Sequence, residues 1–278
     1  MFQFRGNRTV IIRSRTPGSL ARMLLALLRL SRLAVHLALG CVMVSAFPLL
    51  FAATREVLVG WWARRLLAAV GVRLRAVGVS PRGPGLVVAN HISWLDVVAI
   101  AAVRPAVFVC KAEIAAWPGI GWLLRRAGMI FIRRGSFRDV WRVNLRLRAC
   151  FMASQSVVAF PEGTTTEGRD VLAFRPALFQ PAVERALPVY PVAIAYSSGE
   201  AAFVGETSFF DSLLAVARAR DLEVRLALLK PLDTRGSTRR AVAARAHSLI
   251  LARTLGLRLD AQPRPRANLM RGIAPAPR

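Results

Sequence analysis

Lysine is almost missing from this 278-residue chain: Lys111 and Lys230 stand among 40 basic residues, set against 15 acidic ones. Cysteine is scarce too. Cys41, Cys110 and Cys150 have no CxxC spacing and leave an odd thiol over from any pairing, which excludes a disulfide framework and points to a reducing compartment. His36, His91 and His247 are too dispersed for a zinc site and no HExxH occurs, so neither a metal nor a prosthetic group is expected. No GxSxG is present, so the chain has no serine elbow of the hydrolase kind. Internal repeats are absent as well.

What the chain holds in excess is apolar surface and arginine. Hydrophobic residues make up 55%, mean hydropathy is +0.43, and the formal charge is +25 with a pI near 11.9. Nucleic acid would explain the charge but not the hydrophobicity. The two together suit an anionic membrane surface, where each basic residue near the headgroups adds about 1 kcal/mol. Part of the arginine excess is also what GC-rich coding produces.

Residues 1–18 form a basic tail with four arginines and no acid. "SLARMLLALLRLSR" then sets Arg22, Arg29 and Arg32 on one side of a helical wheel, the pattern of a helix lying along a membrane. Residues 33–53 carry no formal charge and are long enough to cross about 30 Å of hydrocarbon. Arginines flank both ends, so the positive-inside rule gives no orientation. Pro48 is placed to break the run into a pair of helices, and Trp61 and Trp62 suit the interface. Residues 19–72 are therefore read as membrane-anchoring helices, with a monotopic arrangement favoured over a single span through 33–53 and a buried core helix as the third alternative.

From residue 73 short β-rich runs alternate with helical patterns. Strands are predicted at 73–79, 85–90, 106–111, 129–133, 156–161, 189–196 and 222–229, and helices near 94–104, 113–127, 137–154 and 237–255. This alternation predicts an α/β fold, a mixed sheet covered by helices on both faces, over residues 73–260. Residues 261–278, rich in proline and arginine, read as a disordered tail.

Four stretches carry polar groups where apolar strands end. "NHISWLD" (90–96) follows "GLVVA", and Ser93 with Asp96 fits the S-x-x-[DE] start of a helix, which makes Asp96 a cap. The same break between strand and helix lets His91 in the loop meet Asp96 in the first turn, which makes a general base oriented by a carboxylate. Both readings stand at this point. "FPEGTTT" (160–166) ends another apolar strand, where Glu162 needs a polar partner and Gly163 frees the backbone. "GMIFIRR" (128–134) puts arginines after a strand. "LPVYPVAI" (187–194) has Pro191 in a β-rich run, a residue confined to an edge or a bulge.

In order and spacing, "HISWLD", "GMIFIRR", "FPEGT" and "VYPV" resemble the four blocks of the glycerolipid acyltransferases, the family of the lysophosphatidic acid acyltransferases, over about residues 60–230. "FRPALFQPA" (174–182) is similar to the family's stretch between the third and fourth blocks. The resemblance implies that His91 is the general base and Asp96 its orienting partner. It also implies that Gly128 and Arg134 occupy acceptor-binding positions, and that Glu162, Gly163 and Thr164 help bind the acceptor. The implied reaction transfers an acyl chain from acyl carrier protein or acyl-coenzyme A to the hydroxyl of a lyso-lipid, without a metal. It implies an enzyme at the cytoplasmic side of the inner membrane. Two departures bear on the acceptor: Thr165 stands where phosphate-acceptor enzymes commonly have arginine, and Arg133 where the second block has an acid. "EGTTTEG" and "FRPALF" look more like the lyso-ornithine lipid acyltransferases. Lysophosphatidate and lyso-ornithine lipid both remain open as acceptor. A basic membrane- or nucleic-acid-binding protein without catalysis and a thioester hydrolase using the same base are the competing classes.

Overall fold

The computed structural model describes residues 17–78, 83–133 and 137–259. Most of the 1–18 tail, the 261–278 tail and Arg134 lie outside them. Seven strands form one sheet: β1 (Arg73–Val77), β2 (Gly85–Ala89), β3 (Val107–Lys111), β4 (Ile130–Ile132), β5 (Ser156–Ala159), β6 (Val189–Tyr196) and β7 (Glu223–Leu228). Their order is β1-β7-β6-β2-β5-β3-β4, parallel at every pairing except β6 with β7, so β1 and β7 run against the other five.

β2 is buried along its whole length because helices cover both faces, which is why "GLVVA" has no polar alternation. Val87 and Ala89 pack toward α2 (Ala52–Ala69), α3 (Leu95–Val103) and α7 (Phe209–Arg218). Leu86 and Val88 pack toward α5 (Phe137–Met152), α6 (Gln180–Glu184) and α8 (Arg239–Leu259). The sheet is mixed and double-covered, as the alternation of patterns predicts.

One predicted element differs. The single helix expected at 113–127 is a 3-10 turn, Ala112–Ala116, followed by α4 (Ile120–Arg126). Pro118 and Gly119, at φ +69°, separate them, since proline lacks the amide a continuous helix needs. Pro191 sits inside the sheet, flanked by β2 and β7. It is tolerated because the ladder slips there: Val192 is opposite Leu228, yet the next bridge joins Val189 to Leu232, one residue out of step. Pro191 accepts from Leu229 N through its carbonyl, and its missing N–H falls at the bulge.

At the N-terminus the two predicted segments merge into α1 (Pro17–Ser45), and a 3-10 turn at Phe47–Leu49 containing Pro48 reverses the chain into α2. α1 packs on α2, α4 and α7. Trp62 Nε1 donates to the His36 carbonyl at 3.1 Å, His36 Nε2 lies 2.9 Å from the Trp62 carbonyl, and the two rings stack. Arg29 does not extend to a membrane face: its guanidinium donates to the carbonyls of Ala217 and Ala219 at 3.1 and 2.6 Å, closing the C-terminus of α7. Arg64 likewise donates to the Ala102 carbonyl at the end of α3. Leu66, Leu67 and Val70 are core residues beneath the sheet, so the boundary drawn at residue 72 has core side chains on both sides.

Candidate active site

β2, β5 and β6 are adjacent and parallel, so their carboxyl ends open on one edge of the sheet, the edge where ligands of α/β folds sit. Beyond β2, Asn90 gives its amide to the Ile194 carbonyl and accepts from the Ile194 N–H, extending the β2–β6 pairing by a side chain. The main chain is then free to turn, and His91 projects from the turn.

Asp96 lies in the first turn of α3 and is fully buried. Four donors replace its water. Oδ2 accepts from the amides of Ile92 (2.7 Å) and Ser93 (2.9 Å) and lies 2.8 Å from His91 Nδ1. Oδ1 accepts the Tyr196 hydroxyl at 2.6 Å. Ser93 Oγ in turn accepts from Leu95 N. The cap and the histidine pair are thus one arrangement, with the amide bonds that start the helix aiming the carboxylate at the imidazole. With Nδ1 held by Asp96, Nε2 is the nitrogen left to take a proton. The His91 side chain is 16% exposed, and Phe160 stacks on its ring at 4.0 Å between centroids.

Glu162, at the carboxyl end of β5, is 3% exposed. Its Oε1 accepts from His91 N at 2.6 Å and its Oε2 from Leu172 N at 2.8 Å, so it brackets the histidine turn to the loop returning toward Arg175. Burial pushes its carboxyl up to about 7, against the opposing pull of the two amides. Gly163 has φ +74°, and a Cβ there would meet the Arg175 guanidinium at 2.9 Å. Thr164 is half-buried beside it. Thr166 N donates to the His91 carbonyl, the Thr165 hydroxyl to the Phe203 carbonyl, and Phe203 N to the Ile92 carbonyl. Three loops are therefore tied together around His91.

Gly128 lies apart from this cluster. At φ +79° it ends α4, with its N–H on the Arg125 carbonyl and Met129 N on that of Leu124, the Schellman pattern that favours glycine. It lines a groove of about 1030 Å³ beside α5 and β4, together with Arg125, Arg133, Arg142 and Arg146, and none of His91, Asp96 or Glu162 lines that groove.

Sequence reasoning missed Tyr196, Phe160, Asn90 and Phe203. One signal was available for Tyr196: a hydroxyl closes the apolar run "VYPVAIA", at the end of a strand that neighbours the histidine's own.

The family model described as Acyltransferase matches residues 71–195, a span that contains His91, Asp96, Phe160 and Glu162 and stops just short of Tyr196. The chain is 37% identical over 215 residues to a lyso-ornithine lipid O-acyltransferase of Pseudomonas aeruginosa, covering 76% of this chain and 83% of that one. It is 40% identical over 135 residues to a 1-acyl-sn-glycerol-3-phosphate acyltransferase of Neisseria meningitidis serogroup B, covering 48% of this chain and about half, 53%, of that relative. Among solved structures, the 1-acyl-sn-glycerophosphate (LPA) acyltransferase PlsC of Thermotoga maritima matches the fold with a TM-score of 0.67 at 20% identity, over 86% of this chain and 97% of that one.

Proposed function

The chain belongs to the acyltransferase family of the lysophosphatidate and lyso-ornithine lipid enzymes, and from that premise we propose that it esterifies the hydroxyl of a lyso-lipid with the acyl chain of a thioester, His91 acting as general base. The observation that carries the proposal is the 2.8 Å contact of His91 Nδ1 with a carboxylate fixed by three further donors. His91 Nε2 removes the acceptor's hydroxyl proton, the oxygen bonds to the thioester carbonyl carbon, the carbon–sulfur bond breaks, and the proton leaves with the thiol. No enzyme nucleophile is acylated, and the reaction as written asks for no metal or prosthetic group. The donor is acyl carrier protein or acyl-coenzyme A.

Lyso-ornithine lipid is the favoured acceptor. The relative covered over most of its length carries that activity in its name, and Thr165, where an arginine clamp would stand, has its hydroxyl on the Phe203 carbonyl. Lysophosphatidate is the second reading, supported by the 40% identity to the Neisseria enzyme. Glu162 and Gly163 contribute to acceptor binding through the loop they shape. We further propose that the enzyme works at the cytoplasmic face of the inner membrane. In support, Leu20–Ser45 is long and apolar enough to cross a membrane, with 17% of its most apolar stretch buried.

The test offers the two lyso-lipids side by side with one acyl carrier protein thioester. Product from lyso-ornithine lipid and about a 10³-fold loss of rate in His91→Ala are expected. An unchanged rate in that variant would remove His91 as the base, and product from lysophosphatidate alone would reverse the acceptor.

A further inference from the structure

We propose that Tyr196 is a positioning residue of acyl transfer: by donating to the Asp96 oxygen that His91 does not use, it sets how strongly Asp96 holds the imidazole. The inference rests on the reading of His91 as the base and adds a group that tunes it.

The geometry is specific. Tyr196 is the last residue of β6, the strand beside β2, so the sheet delivers its hydroxyl to the edge from which His91 projects. The hydroxyl meets Asp96 Oδ1 at 2.6 Å, while His91 and two amides crowd Oδ2. The Ser93 hydroxyl lies against the phenol oxygen as well. A carboxylate divides its acceptor strength among its donors. Removing the phenol leaves Oδ1 unpartnered in a buried site, so the remaining charge falls more heavily on the bond to Nδ1 and favours the imidazolium. Strengthening the phenol as a donor does the opposite. Burial and the Asp96 charge hold the Tyr196 hydroxyl well above the ordinary phenol range, so it stays a donor throughout any assay pH. Two carboxyl groups face the imidazole's turn, Asp96 from α3 and Glu162 from the loop after β5. Glu162 is common to every variant below, so differences between profiles belong to Tyr196.

The sequence allows a clean measurement, since Tyr190 is the other of its two tyrosines. Profiles of kcat/KM against pH would be recorded on the full chain in vesicles, with lyso-lipid and acyl carrier protein thioester. Tyr196→Phe should move the acidic limb up by about one pH unit, an activity loss of roughly tenfold below the limb that closes as pH rises. Fluorotyrosine incorporated in a Tyr190→Phe background, where Tyr196 is the remaining tyrosine, should move the limb down. A merely structural tyrosine would lower the whole profile by one factor, and coincident limbs, or both changes moving the limb the same way, would overturn the proposal. If Tyr196→Phe fails to fold, the fluorotyrosine shift decides alone. Activity surviving in His91→Ala would instead defeat the base assignment, whereas an inactive His91→Ala with coincident limbs would defeat Tyr196 alone.

Discussion

A carboxyl group 3% exposed at the end of an apolar strand must lose its charge or find donors, and Glu162 lies between these outcomes. Its two amide bonds hold the anion while burial lifts the group to about 7. The sign follows from linkage. A folded-state value above the unfolded one, 4.5, means the carboxyl contributes stability in full below that pH and loses it as pH rises through about 7, a change of about 3 kcal/mol. Glu162→Gln cannot ionise, so its stability should change with pH between 5 and 8 by about that much less than wild type does. It should also be lower in absolute terms, because the glutamine amide faces an N–H it cannot accept from. Denaturant midpoints in detergent at four pH values would measure both; parallel slopes would show that Glu162 does not titrate in this range. The residues of the site were legible in unequal measure. His91 and Asp96 share one heptapeptide, and the helix-start pattern between them supplies the geometry. Tyr196 is a hundred residues away and reaches Asp96 only because β6 lies beside β2, an adjacency that strand patterns do not encode.

Elements were legible where burial was uniform. All seven strands were predicted, and β2 and β6 stood out because a strand covered on both faces is an unbroken apolar run, whereas β1 is largely exposed and carries two arginines. α7 was not, although Ser208 and Asp211 repeat the S-x-x-D spacing of Ser93 and Asp96, here with Ser208 Oγ accepting from Asp211 N at 3.1 Å. Its ten residues are few for a periodicity to stand out, and it is finished from outside by Arg29 of α1. The wheel that groups Arg29 with Arg22 and Arg32 cannot distinguish a guanidinium facing lipid headgroups from one closing another helix. Arg29→Ala leaves the Ala217 and Ala219 carbonyls without this donor at a helix end where cations are favourable. A loss of about 2 kcal/mol is expected, a fall in melting temperature of roughly 4–8 °C. Arg29→Lys should restore part of it, since one ammonium replaces a forked donor. A melting temperature unchanged in Arg29→Ala would mean the contact adds nothing to the docking of α1.

Over the whole molecule, apolar exposure is concentrated on one contiguous part of the chain. Leu20, Leu24, Leu27, Val35 and Val42 are exposed along α1, Val57 on α2, and the turn between them presents Leu49 and Phe51, each 87% exposed. A soluble protein scatters such residues; a run of this length needs a covering. Because α1 is held to α7 by Arg29 and to α2 by the His36–Trp62 contacts, the turn is a fixed point on the body of the enzyme. It is a suitable wedge for a bilayer whose anionic headgroups also meet the +25 net charge. Each of the two side chains entering hydrocarbon would contribute about 2 kcal/mol. Leu49→Asp with Phe51→Asp should therefore lower co-sedimentation with anionic vesicles by at least about 100-fold, while a short-chain lyso-lipid presented in detergent is still acylated at close to the wild-type rate, His91 being left intact. Raising the salt concentration should weaken wild-type binding further through the arginines. Vesicle binding undiminished in the double variant would mean that the exposed turn faces something other than lipid, and the anchor would have to be sought along α1 alone.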